Sequence, residues 1–196
     1  MIPQTQTTKS IILFNGPPGS GKDTIANRSK YHFGGIVEKF AGPIKQIVPH
    51  FYGITKDEFD FMDSNTEEKK KPRDCFYGLS CREVQIAISE TYAKPTHDKS
   101  IFGKLLISRL EQHTQNNCFY ISDSGFKEEA HQLVDKYGAD AVTLVRIHRD
   151  GATFKGDSRG YIYLDDIHSL DLDNNGDLDV AVQDVRAFVN SRVLVQ

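Results

Sequence analysis

Gly16-Pro17-Pro18-Gly19-Ser20-Gly21-Lys22-Asp23-Thr24 follows directly on the apolar run Ile11-Ile12-Leu13-Phe14. The order is strand, glycine-rich loop, helix, the context that a phosphate-cradling loop requires. Backbone N–H groups of such a loop turn inward around phosphate oxygens, and the helix behind it adds its positive dipole end. In the usual pattern, G-x-x-x-x-G-K-[ST], the lysine reaches the β/γ-phosphates. Gly16, Gly21 and Lys22 fit it; Asp23 stands where Ser or Thr is expected, and Thr24 comes one place later. A Gly/Pro turn without a ligand is the competing reading. The two placed glycines, the lysine and the flanks argue against it.

With 196 residues the chain makes one domain, or one domain with a mobile insert. A net charge of -3 and a pI near 6.2 do not mark a general nucleic-acid binder. Cys75, Cys81 and Cys118 make an odd set without metal-site spacing, read as reduced thiols of a cytoplasmic protein. The opening MIPQTQTTKS lacks a signal-peptide core and reads as a loose lead-in. No apolar stretch reaches the ~18 residues of a membrane helix.

Hydrophobic periodicity predicts strands at Ile11–Asn15, Ile36–Phe40, Cys118–Ser122 and Ala141–Ile147, with one more inside Tyr161–Leu172. Helices are expected at Asp23–His32, Pro43–Tyr52, Arg82–Tyr92, Ser100–His113, Phe126–Tyr137 and Asp177–Val189. In Pro43–Tyr52 the apolar face is Ile44, Ile47, Val48 and Phe51. In Arg82–Tyr92 it is Val84, Ile88 and Tyr92, and Pro95 ends that helix. Phe102, Leu105, Leu106 and Leu110 face inward from the next one. Gly53–Arg73 is polar and charged, and reads as an exposed segment or lid. Alternating strands and helices predict an α/β fold, its parallel sheet covered on both faces. Ligands of such sheets sit at the carboxyl edge, where the loop and Asp123 both fall.

Further segments carry a resemblance. FAGPIKQIV (Phe40–Val48), CREVQIAISETYAKP (Cys81–Pro95), ISDSGFKEEA (Ile121–Ala130), GDSRGYI (Gly156–Ile162) and NNGDLD (Asn174–Asp179) follow GPPGSGKDT in order. Together they resemble the bacteriophage deoxynucleoside monophosphate kinases, a branch of the P-loop kinases. The resemblance implies a three-layer P-loop NTPase fold with a five-stranded parallel sheet and a single kinase domain over 1–196. Its core would be about 10–52 and 117–196, and a mainly helical acceptor-binding insert about 53–116. It implies transfer of the ATP γ-phosphate to a dNMP with Mg²⁺, and the phage supply of DNA precursors in the host cytoplasm. A homodimer is implied too, with no direct nucleic-acid or membrane partner.

The implied roles fall on residues of this chain. Gly16, Pro18, Gly19, Ser20, Gly21, Lys22, Asp23 and Thr24 would hold ATP, and Arg146 would close over it. The GK-x-T form occurs in many monophosphate kinases, so Thr24 is read as the hydroxyl nearest Mg²⁺. Asp23 would reach the metal through water or only favour the positive helix start, and Asp123 would make a water-mediated metal contact or an acceptor-side contact; Asp123 is otherwise a helix cap. Catalysis would rest on Lys22, Arg82, Asp123 and Arg159, and the dNMP on Lys45, Arg82, Gln85 and Glu129. Arg146 and Arg149 cannot both face one way along a strand. One of them is then structural. Arg159, in GDSR, is the preferred lid or phosphate contact of the Gly-rich, hairpin-like, lid-resembling stretch Asp150–Gly160, and Asp157 would orient it.

One position departs from the family: Gly125 stands where many relatives carry Arg, so a phosphate-clamping cation is missing there. That departure keeps a nucleotide-binding regulator without transfer in view. A P-loop kinase of another small phosphorylated metabolite is the other alternative. DLDNNGDLDVAV (Asp171–Val182) opens like a calcium loop, but Val182 replaces the bidentate Glu. A strand, an Asn-Gly turn and a capped helix explain it better, and in the kinase reading that turn lies near the adenine.

Overall fold

A computed structural model describes residues 9–165 and 167–193, so most of the N-terminal lead-in lies outside the described residues. The strands are β1 (Ser10–Asn15), β2 (Ile36–Glu38), β3 (Cys118–Ser124), β4 (Val142–His148) and β5 (His168–Asp173). They form one parallel sheet in the order β2-β3-β1-β4-β5. The fold is the α/β three-layer type expected.

Period-two alternation in β1 builds both cores. Ile11 and Leu13 point to one face, Ile12 and Phe14 to the other, and all are buried. The face of Ile12 and Phe14 is covered by α1 (Lys22–Phe33) and α9 (Leu178–Val193) through Ile25, Ala26, Val182 and Val185. The opposite face takes α2 (Gly42–Tyr52), α3 (Lys56–Met62), α5 (Cys81–Ile86), α7 (Ile101–Gln112) and α8 (Lys127–Tyr137). Short helix α4 (Thr66–Lys70) precedes α5. The chain leaves β1 through α1 toward β2, and leaves β3 through α8 toward β4. Those two exits diverge between the carboxyl ends of β1 and β3, and a crevice at such a point is where ligands of open α/β sheets bind.

Several local expectations need correction. Gly53–Arg73 is not a wholly exposed segment: it forms α3 and α4, and buries Phe59 and Met62. The two lie at i and i+3 on one face of α3, and that short apolar face is diluted among charges when the stretch is read as a whole. In α2, Ile44 and Val48 are buried, but Ile47 and Phe51 are exposed, as is Leu105 in α7. The helix begun by α5 ends at Thr96, one residue past Pro95, but it is not α-helical throughout. It continues through a π-helical stretch, Ala87–Ala93, into α6 (Lys94–Thr96). The i→i+5 bonding of that stretch turns the helix face, so Ala93 packs on the core while Tyr92 points outward.

The Asp150–Gly160 stretch has no hairpin strands and docks on the sheet edge. Asn15, fully buried at the end of β1, donates from Nδ2 to Ser124 O and Gly160 O, each at 3.0 Å. Its Oδ1 accepts from Ile162 N at 3.0 Å. Ile162 and Leu164 then enter the core.

Candidate functional site

Gly16–Thr24 wraps the carboxyl end of β1, the central strand. Gly21 has φ +96°, a left-handed conformation, and a Cβ there would lie 2.4 Å from Asn174 Nδ2. A Cβ at Gly16 would lie 2.8 Å from Ile147 O. Asn174, in the turn after β5, donates to Ser20 O at 2.8 Å and braces the loop from behind. In that turn Asp173 accepts from Asn175 N, and Asp177 accepts from Asp179 N at the start of α9.

Lys22 Nζ donates to Gly16 O at 2.6 Å and Pro17 O at 2.8 Å. Burial, then the neighbouring Arg159 cation, push its ammonium down to about 8. Ser20 Oγ is buried in the loop without a hydrogen-bond partner. The first N–H groups of α1 have no acceptor inside the helix. An orphan hydroxyl, helix-end donors and a crowded cation together fit a polyphosphate, which would supply an acceptor for each.

Arg159 lies against Gly125. A Cβ at Gly125 would lie 2.4 Å from Arg159 Cδ and 2.7 Å from Arg159 Cγ, so the Arg159 stem crosses the space a side chain would take. Its guanidinium donates to Asp157 from Nε at 2.9 Å and Nη2 at 2.7 Å. Arg82, in the first turn of α5, reaches the same carboxylate at 3.3 Å. It is not paired with the Glu83 side chain, which caps its own helix on Ser80.

Two other acceptor-side candidates, Lys45 and Gln85, meet an aspartate absent from the sequence-based set. Asp63, at the end of α3, receives Lys45 at 2.5 Å, Lys69 at 3.2 Å and Gln85 Nε2 at 2.7 Å. Burial raises the Asp63 carboxyl, but Lys45 and Lys69 outweigh it and hold the group below the usual range. Lys69 is lowered by burial and by Lys45. Asp23 carries an ion pair to Lys39 at 2.5 Å and accepts from Ser122 Oγ at 2.7 Å, while Thr24 is exposed beside it. Both Asp123 oxygens accept backbone N–H groups, from Phe40 at 2.8 Å and Ala41 at 3.0 Å. Asp123 thereby ties β3 to the entrance of α2, rather than capping α8. Lys22, Lys39, Lys45, Lys69, Arg82 and Arg159 outnumber the carboxylates of Asp23, Asp63, Asp123 and Asp157, so the cleft favours an anionic ligand.

Glu129 is buried in α8, 3.4 Å from Lys94. Burial pushes its carboxyl up to about 7, with Lys94 opposing. Arg146 is committed elsewhere: it forms a two-point pair with Asp171 on β5, at 2.9 and 2.6 Å, and lies over the Tyr163 ring. The arginine that touches the loop is Arg149, which donates to Gly19 O at 3.4 Å. The sheet register explains the exchange, since Arg146 stands opposite Asp171 while Arg149 lies beyond the strand end.

Lys39, Asp63 and Lys69 escaped the sequence reading because each lies in an ordinary charged stretch. Asn15 did carry a signal, a polar residue closing an apolar strand. Among the described residues no group of three or more His, Cys, Asp and Glu side chains is arranged to hold a metal ion, and no helix is long and apolar enough to cross a membrane. A Thr24 hydroxyl beside bound phosphates needs no such group.

No described protein family matches the chain, and no curated protein matches it. Solved structures resemble it. A sugar kinase from a Janibacter species is 13% identical over 93% of this chain and 95% of that one, with a TM-score of 0.48. A gluconokinase from Sinorhizobium meliloti 1021 is 12% identical over 93% and 92%, with a TM-score of 0.47. An uncharacterized protein from Eubacterium ventriosum is 12% identical over 94% and 99%, with a TM-score of 0.45. Likeness at this level does not extend to activity.

Proposed function

We propose that this protein is a deoxynucleoside monophosphate kinase, which transfers the ATP γ-phosphoryl group to a dNMP and releases ADP and a dNDP. The observation that carries phosphoryl transfer is the convergence of the Lys22 loop with Arg159 and Arg82 at one sheet edge. The dNMP as acceptor rests on the sequence resemblance. Magnesium, when bound with ATP, would neutralise charge on the phosphates.

The chain's own part is alignment and charge stabilisation. Lys22 would leave the Gly16 and Pro17 carbonyls for phosphate oxygens. Thr24 would offer its hydroxyl to the metal, with Asp23 reaching it through water. Arg159 and Arg82 would face the transferring group and the acceptor phosphate. Lys45 would add charge from α2, and Gln85 and Glu129 would offer hydrogen bonds to the acceptor's sugar or base. Asp123 would act chiefly by holding the β2–α2 connection. The helices from α3 to α7 would form the acceptor-binding insert, about 53–116.

Arg159 over Gly125 supplies the cation whose absence left a non-transferring regulator open, and so favours transfer. A coupled assay with ATP, Mg²⁺ and each dNMP tests the reading. Turnover with one or more dNMPs supports it; ATP binding without transfer to any of them sinks it.

A further inference from the structure

The Asp157 carboxylate is 3% exposed and joins two arginines from distant parts of the chain. Arg159 donates to it three times, from its backbone N at 3.1 Å, from Nε at 2.9 Å and from Nη2 at 2.7 Å. Arg82 comes to it from α5 across the cleft, at 3.3 Å. A surface pair of this kind would be worth little, but a buried carboxylate shared by two guanidinium groups fixes where both forks point. The segment that carries Asp157 and Arg159 is pinned to β1 through Asn15 and Gly160, so this arrangement is built into the sheet edge. The nearby Lys22 ammonium makes a further positive charge in the same space.

We propose that Asp157 is a positioning residue that couples Arg82 and Arg159 into one anion site for a phosphoryl group at the carboxyl edge of β3. One carboxylate between two guanidinium groups leaves a net positive charge and N–H donors on both arginines for the ligand. Loss of either arginine releases the carboxylate to the other, and so spoils the whole site. The proposal rests on the kinase reading for its place in a reaction, but phosphate binding by the pair does not depend on which acceptor is used.

The test is a cycle of variants read by calorimetry with inorganic phosphate. Lys22→Ala is the common background, so that the loop does not report. Arg82→Ala and Arg159→Ala are each expected to weaken phosphate binding about tenfold, and the double variant little further. With Asp157→Asn added, the two losses should become independent and multiply. Multiplying losses with Asp157 present, or no phosphate binding at all in the common background, would overturn the proposal. With native Lys22, Asp157→Asn should lower kcat for the dNMP about 10²-fold and leave the KM for ATP within about twofold. Asp157→Glu should recover part of that kcat; a purely structural loss would lower activity and melting temperature together, with no such split. If Asp157→Asn does not fold, the cycle on native Asp157 and the Glu variant still decide. Intact phosphate coupling without dNMP turnover would sink the kinase reading alone.

Discussion

Gly125 and Arg159 share one space: a Cβ on Gly125 would lie 2.4 Å from Arg159 Cδ. The absence of a side chain at the end of β3 therefore admits a cation delivered from a segment more than thirty residues later in the chain. Relief must come from the Arg159 stem, because the conflict involves its Cβ, Cγ and Cδ atoms rather than its mobile tip.

Gly125→Ala should therefore displace Arg159 and lower kcat by about 10- to 100-fold, with ATP affinity little changed. Steady-state kinetics with a dNMP, beside nucleotide titration, measures both. Unaltered kcat would show that Arg159 contributes nothing from this position.

Lys22 predicts the pH dependence of nucleotide binding. Its ammonium is held down to about 8 by burial and by Arg159, and bound phosphates favour the charged form. Protonation must therefore accompany binding above that value. ATP affinity should be level below pH 8 and fall by up to about tenfold per pH unit above it, with proton uptake in calorimetry. Lys22→Ala should abolish transfer, keep the melting transition and remove this pH dependence.

Glu129 gives a stability signature of opposite form to that of a salt-bridged carboxylate. Its folded value, about 7, lies above the ordinary 4.5. Its favourable contribution is present below pH 4.5 and lost as pH rises through 7, because the unfolded chain ionises first. Glu129→Gln should flatten the fall in melting temperature between those values and stabilise the protein at pH 8 by on the order of 2 kcal/mol. Thermal melts across that range check it; an unchanged slope would place the ionisation elsewhere.

Asp63→Ala would leave Lys45 and Lys69 facing each other without their shared carboxylate. The loss should be about 3 kcal/mol in chemical unfolding, with part regained in high phosphate. Asp63 is held below the ordinary carboxylate range, so its stabilising effect is present above that range and is lost as pH falls through the lowered value. A variant as stable as the parent would mean that the lysines find other partners.

The sequence by itself determined the three layers and the phosphate loop, because both are local. Ile11–Phe14 alternates through the sheet with period two, and the glycine at 21 supplies a left-handed turn within a few residues. Helix faces were legible in part: Ile44, Val48, Phe102, Leu106 and Leu110 are buried, Ile47, Phe51 and Leu105 are not, and the reading failed at Tyr92, where a π-helical stretch turns the face. Likewise the buried side of α3 was hidden, since Phe59 and Met62 stand among charges that say nothing about which side meets the core. Tertiary structure alone decided how the charges are shared. Arg146 goes to Asp171 by strand register, Asp63 gathers Lys45, Lys69 and Gln85 from three elements, and Asp157 joins Arg82 to Arg159 across 77 positions of chain. Coulomb attraction depends on distance in space, not on separation along the chain, so no local pattern could assign those partners.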